Sequence, residues 1–171
     1  ELSKGVKRAF RKEIFEDIIL DYDYNKSLME VIIKERTFIK KIKIKGNVKL
    51  SDSYIKRGLI FKEGDIFRKE LLIKAEDKLK KYLKLSGFPN ANVKIYIIPS
   101  EKSYLELIVN IIEGNPAIIK SILLPRWLKN KIDIQKGDIF NIKEIEKTLI
   151  KLRKYLFSIG YYNATVGPVV F

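Results

Sequence analysis

The sequence predicts an α+β protein built as a tandem array of strand-helix-helix-strand-strand units, in each of which two helices cover one face of a three-stranded sheet. Three observations carry this expectation. The phrase Lys81-Tyr82-Leu83, Gly87, Asn90-Ala91, Val93 returns 73 residues later as Lys154-Tyr155-Leu156, Gly160, Asn163-Ala164, Val166. At the same spacing Gly64-Asp65-Ile66-Phe67 returns as Gly137-Asp138-Ile139-Phe140. Two separate matches in one register mark an internal repeat, and a repeat of that length is one small domain. Within the complete copy, hydrophobic period two and period 3.6 alternate, the third observation.

The elements follow in chain order. Phe38, Lys40, Ile42 and Ile44 alternate with Ile39, Lys41, Lys43 and Lys45, a half-buried strand closed by the turn Gly46-Asn47. Ser51 is placed to cap a short helix over Asp52 to Arg57 that ends at Gly58, and a turn follows at Glu63-Gly64-Asp65. Leu72, Ala75, Leu79, Tyr82 and Leu83 recur at three- and four-residue spacing, opposite Lys74, Asp77, Lys78 and Lys81, so a second helix presents one apolar stripe. Gly87 stands where a left-handed residue closes a helix, and Pro89 prevents its continuation. Val93, Ile95 and Ile97 alternate with Lys94 and Tyr96, and Leu105, Leu107, Val109 and Ile111 with Glu106, Ile108 and Asn110, giving two strands joined by a turn over Pro99 to Ser103.

The flanking copies read as partial. Residues 1–36 form the C-terminal half of a first unit, with a helix end at Val6, Ala9 and Phe10 and strands around Ile18, Leu20, Tyr22 and around Leu28, Val31, Ile33. Residues 37–114 form the complete second unit. Residues 115–171 form a third unit without its last strand: a strand over Ile118 to Leu124, a short helix after Pro125, a long helix over Ile142 to Ser158 and a strand from Ala164. Glu113-Gly114-Asn115-Pro116 is a short connection expected to permit limited hinge motion. The chain opens inside a helical pattern and stops on Val169-Val170-Phe171, so both ends are expected to be cut from a longer protein.

Composition narrows the function. At 171 residues, 46% hydrophobic and without a Pro/Gly/Ser-rich tract, the chain is long enough to bury a core throughout. It has no Cys and no His, which removes thiol enzymes, the usual zinc sites and His-based hydrolases together. No apolar run approaches the ~20 residues that span a bilayer as a helix. The net charge of +14 invites a nucleic-acid or anionic-membrane reading, but the lysines are spread along every element as in a solvated surface. No GXXG loop joins two helices and no aromatic RNA-binding strand is present, so no nucleic acid is expected as a partner. Lys41, Lys43 and Lys45 leave a possible anionic membrane surface open.

The pattern resembles the POTRA domain family. Gly160-Tyr161-Tyr162-Asn163-Ala164-Thr165-Val166 is similar to that family's GYY-x-A-x-V phrase, Phe15-Glu16-Asp17-Ile18 resembles the F-E-D-V variant of first units, and Phe38 to Asn47 resembles its opening strand and G-N turn. Glu13 stands where the turn glycine is expected, and Leu124-Pro125-Arg126-Trp127 replaces the G-N turn of the third copy. The resemblance implies a mixed three-stranded sheet and a non-enzymatic scaffold with no cofactor and no catalytic residue. In tandem, such domains resemble the periplasmic arms of BamA-like and TamA-like outer-membrane assembly proteins of Gram-negative cells, which a C-terminal β-barrel follows. Two-partner secretion transporters and division-type scaffolds are the alternatives, followed by a basic module that binds RNA or anionic lipid.

By the same resemblance the partners would be unfolded outer-membrane proteins, accessory lipoproteins and periplasmic chaperones, held by β-augmentation. An edge strand offers unpaired N–H and C=O groups, so backbone bonds give affinity without demanding sequence. Carried over to this chain, the binding edge is Val93, Lys94, Ile95, Tyr96, Ile97 and Ile98, with Ile18 to Tyr22 and Ala164 to Val169 as its counterparts. Lys94 also reads as a guard against edge aggregation, and Pro168 weakens the third counterpart. Asp21, Asp23 and Asn25 have the opening spacing of a calcium loop, but Lys26 replaces the required glycine and Ile32 the required glutamate, which leaves a hairpin. Glu16, Asp17, Glu144 and Glu146 are assigned to exposed faces. Trp127 reads as core or inter-domain packing before partner anchor.

Overall fold

The computed structural model describes residues 15–101 and 103–166; the helix end expected at Val6, Ala9 and Phe10 lies outside them. The described residues divide into two compact units, one of residues 15–45, 59–76 and 94–110, the other of residues 46–58, 77–93 and 111–166.

The first unit holds one sheet whole and all but the strand ends of a second. Strands β1 (Phe15–Asp23) and β2 (Leu28–Glu35) pair antiparallel, with Ile18 opposite Ile33 and Leu20 opposite Val31. The Asp23 carboxylate accepts the N–H groups of Asn25 and Lys26 at 3.0 and 3.3 Å, so the calcium-like spacing is a hairpin turn. Strands β3 (Phe38–Lys45), β4 (Asn92–Pro99) and β5 (Tyr104–Ile112) form a mixed sheet in the order β3-β5-β4, with β3 parallel to β5. A parallel neighbour requires a long crossover, and the two intervening helices supply it.

Strict alternation along β3 puts Ile39 and Ile42 on opposite faces, yet both are buried. The register shifts between Ile39 and Lys41, so Lys40 is the extra residue of a bulge that returns both isoleucines to one face. They join Leu59, Phe61, Ala75, Ile95, Leu105, Leu107 and Val109 in a core. On the solvent face Lys43 pairs with Glu106 at 2.5 Å and Lys40 with Glu101 at 3.2 Å. Lys43 holds the Glu106 carboxyl below the ordinary glutamate value, by hydrogen bond and by charge. One of the three lysines that suggested a lipid-facing stripe is therefore engaged within the sheet.

In the second unit, α1 spans Asp52–Gly58, as its cap predicts: the Tyr54 N–H donates to Ser51 Oγ at 3.3 Å. Helix α2 runs Leu72–Leu85, its first turn belonging to the other unit. Ala75, Leu79 and Leu83 are fully buried, while Lys74, Asp77, Lys78 and Lys81 are exposed, as the stripe requires. A paired bond closes α2, Phe88 N–H to Leu83 O at 3.0 Å and Gly87 N–H to Lys84 O at 3.1 Å, with Gly87 at φ +96°. Helix α3 (Ile142–Ser158) ends in the same way: Tyr161 N–H reaches Leu156 O at 2.9 Å and Gly160 N–H reaches Phe157 O at 3.1 Å. The repeated phrase is thus a repeated helix terminator.

The turns repeat as well. Lys62 N–H donates to Asp65 Oδ2 at 2.8 Å and Gln135 N–H to Asp138 Oδ2 at 2.7 Å; Phe38 bridges Ile66, and Ile118 bridges Ile139. Beyond that single bridge, however, Ile118 to Leu124 is not a strand, and neither is Ala164 to Val166. In the mixed sheet β5 lies between the other two strands. Among the described residues nothing occupies that central position for the third copy, so its flanking segments lack a ladder to join. They leave an apolar cleft of about 290 Å³ lined in part by Ile119, Ile122, Leu124, Ile145 and Leu152. The short helix after Pro125 is a 3-10 turn, Arg126–Lys131.

Where the third copy meets the end of α2, the contacts are close. Ala117 N–H donates to Gly87 O at 2.8 Å, and a Cβ on Gly87 would lie 2.9 Å from Phe140 O as well as against Ile139 Cγ2. Tyr54 OH lies 2.8 Å from Ser86 Oγ and accepts from Asn141 Nδ2 at 3.3 Å, and Lys143 Nζ sits 4.5 Å from the Tyr82 ring centre. Burial acts to raise the Tyr54 pKa, but bonds from Ser86, Asn141 and Tyr82 and the Lys143 charge outweigh it and lower the value. The buried Glu113 carboxylate accepts the N–H groups of Val48, Lys49 and Leu50, each at 3.0 Å. Glu113 and Ala117, the residues at either end of the expected hinge, thus both bond back to residues of the preceding copy.

Candidate functional site

The residues assigned to partner binding occupy β4, at one edge of the mixed sheet. Val93 and Ile95 are buried and Ile97 half-buried, while Lys94, Tyr96 and Ile98 are exposed, the alternation expected of a strand with one dry face. A strand's backbone groups alternate laterally, so Val93, Ile95 and Ile97 aim their N–H groups away from β5.

Two of these donors are already engaged. The Val93 N–H donates to Asn92 Oδ1 at 2.9 Å, and the Ile95 N–H donates to Glu76 Oε1, also at 2.9 Å. The other oxygen of Glu76 faces Lys94 Nζ at 3.4 Å. The Glu76 side chain is only 14% exposed against 60% for Lys94, so the carboxylate is set into the rim of the edge and the lysine leans over it. At the opposite edge, β3 is covered for part of its length: Ile39 N–H donates to Asp65 O at 2.9 Å, and Ile42 N–H donates to Glu63 Oε1 at 3.0 Å. Each edge thus carries a glutamate on a backbone donor near its middle.

Lys94, expected from sequence to guard the edge, stands beside Glu76, which sequence reasoning did not single out. A signal was available. Glu76 lies four residues after Leu72 and three before Leu79, on the flank of the apolar stripe, where a carboxylate without a polar partner is costly.

The proposed counterparts fare differently. Ile18 to Tyr22 lies in β1 of the two-stranded sheet, where Ile19, Leu20 and Tyr22 are exposed. Ala164 and Val166 pack instead against the cluster Leu128, Leu152 and Leu156, and 167–169 fall outside the described residues. Trp127 is 51% exposed with its ring 5.9 Å from that of Tyr161, which corrects the core half of the expectation of core or inter-domain packing. Glu16, Asp17, Glu144 and Glu146 are exposed, as expected. Among the described residues no group of His, Cys, Asp and Glu is arranged to hold a metal, and no helix is long and apolar enough to cross a membrane.

Comparison with known proteins locates the repeat. The family model for POTRA, described as a surface antigen variable number repeat, matches residues 37–114 and 121–170. The chain is 25% identical over 122 residues to the outer membrane protein assembly factor BamA of Neorickettsia risticii (strain Illinois), which covers 71% of this chain and 16% of that protein. Among solved structures, BamA POTRA3-5 of Haemophilus influenzae aligns over 84% of this chain and 61% of its own, with 17% identity and a TM-score of 0.42. The N-terminal domain of Omp85 from Thermosynechococcus elongatus aligns over 88% and 68%, with 14% identity and a TM-score of 0.41.

Proposed function

The chain belongs to the POTRA family, and from that premise we propose that it is the periplasmic arm of a Gram-negative outer-membrane β-barrel assembly protein, with a barrel elsewhere in the parent chain. It is a scaffold of tandem units, with residues 37–114 as one complete domain between parts of two others. Its partners are unfolded barrel proteins together with accessory lipoproteins and chaperones, and the docking surface is the β4 edge from Val93 to Ile98.

The observation that carries the proposal is the position of β4 at the sheet edge with one dry and one wet face. An incoming strand that pairs there extends the sheet by one, bonding through backbone groups that every client possesses. Tyr96 and Ile98 on the exposed face offer apolar contact to alternate side chains of the added strand. Family membership supplies the setting, an outer-membrane assembly role.

A photocrosslinker at Tyr96 or Ile98, presented with an unfolded outer-membrane barrel protein, is expected to capture it, while the same group at Lys41 on β3 captures little. Equal capture at both edges, or none at β4, refutes this docking edge.

A further inference from the structure

We propose that Glu76 is a displaceable latch on the β4 edge: its carboxylate occupies the place an incoming strand's carbonyl must take, so that a strand pairs through the middle of this edge only by displacing Glu76 from Ile95. The inference rests on the reading of β4 as the docking edge and adds what controls access to it.

The geometry is specific. Glu76 Oε1 accepts the outward Ile95 N–H at 2.9 Å, the donor at the centre of the strand, and Asn92 covers the neighbouring Val93 N–H. The next outward donor is that of Ile97, so a strand can begin to pair there and reach Ile95 only by taking the bond from Glu76. Lys94, 3.4 Å from the second carboxylate oxygen, is exposed and long enough to follow the carboxylate outward, which keeps the released charge paired. The device also suits an edge that must not pair with a second copy of the same sheet, since an occupied central donor blocks indiscriminate pairing.

The latch belongs to one copy. At the 73-residue spacing the counterpart of Glu76 is Leu149, an apolar residue that lines the cleft of the third copy and offers a backbone donor nothing. Glu63, on the opposite edge, has Lys136 as its counterpart. A carboxylate required simply to hold this fold would be expected at the matching helix position of both copies.

The test uses the whole chain, in wild-type form and as Glu76→Ala, Glu76→Gln and Glu63→Ala. The probe is a fluorescent nine-residue peptide that alternates valine and phenylalanine with serine and threonine. Two quantities are read: amide hydrogen exchange at Ile95 and the peptide dissociation constant, with amide shifts over 93–98 reporting where it binds. Glu76→Ala should speed Ile95 exchange and tighten the peptide about tenfold, a change of about 1.4 kcal/mol. Glu76→Gln, which keeps an acceptor but loses the charge and disturbs packing least, should fall between, and Glu63→Ala should leave binding at 93–98 unchanged. Unchanged Ile95 exchange in Glu76→Ala overturns the latch. Faster exchange with the peptide bound at 93–98 but no more tightly than to wild type overturns gating while leaving the docking edge intact. Absence of binding in every form, with faster exchange, overturns the docking edge itself and gating with it.

Discussion

Gly87 and Gly160 hold the same position after their helices, at φ +96° and +93°, but a methyl group added at each meets different surroundings. At Gly160 nothing lies within 4 Å of the new Cβ; at Gly87 it would sit 2.9 Å from the Phe140 carbonyl oxygen, 3.2 Å from its carbon and against Ile139 Cγ2. Both alanines suffer the left-handed backbone penalty of about 1–2 kcal/mol, offset by about 0.4–1 kcal/mol through the stiffer unfolded chain. Gly160→Ala should therefore cost about 1 kcal/mol. Gly87→Ala adds an overpacking term of about 1–3 kcal/mol, because a backbone carbonyl cannot rotate out of the way. Its total is about 2–4 kcal/mol, or roughly 4–16 °C in melting temperature for a chain of this size. Urea titrations followed by circular dichroism give both values in one series. Ile139→Ala in the Gly87→Ala background removes the side-chain clash but not the carbonyl, so it should restore only part of the loss. A cost for Gly87→Ala within ~0.5 kcal/mol of that for Gly160→Ala would refute the packed joint between α2 and the third copy.

Three further outcomes rest on other contacts of the fold. Glu113→Ala leaves three N–H groups at 48–50 without their acceptor and should destabilise by about 2–4 kcal/mol in a denaturant titration, with Glu113→Gln losing less. Tyr54→Phe removes the bonds to Ser86 and Asn141 and should cost about 1 kcal/mol; a double-mutant cycle with Asn141→Ala should show coupling of at least ~0.5 kcal/mol if the two groups share one network. The Glu106 carboxyl has its pKa lowered in the folded chain, so the stability it contributes is present above the unfolded carboxylate value and fades as pH falls through the lowered one. Lys43→Met should move the Glu106 titration, followed by carboxyl NMR shifts, back up toward the ordinary value.

What the sequence disclosed and what it hid divide along physical lines. Helices α1, α2 and α3 and strands β3, β4 and β5 were legible because each is specified by its own periodicity and punctuation: Ser51 before α1, Gly87 after α2, the alternating Leu105 to Ile111 run. The strand expected at Ile118 to Leu124 failed for the opposite reason, since a strand is completed by its neighbour and its central neighbour is not among the described residues. The bulge at Lys40 was hidden because it depends on the register between β3 and β5, which no residue of β3 alone determines. The same holds at the edge. Val93 to Ile98 could be named from alternation and resemblance, whereas the Glu76 bond to Ile95 joins a helix to a strand 19 residues away, and Glu113 reaches 63–65 residues back.

The repeated phrase ends a helix in both copies, and at Gly87 it has a second task that explains why that copy is tighter. The left-handed turn at Gly87 frees its own carbonyl, which receives the N–H of Ala117, so the residue that stops α2 also starts the following unit. That arrangement demands a glycine twice over, for its φ and for the space that Ile139 and Phe140 take up. Gly160 meets only the first demand among the described residues. At this one junction the cap of α2 bonds to the segment that leads into the third copy, and the Tyr54 bond with Asn141 lies in the same network. Loss of the cap at Gly87 should therefore loosen two places together: the end of α2, seen as faster amide exchange at Phe88, and the start of the third copy, seen at Ala117.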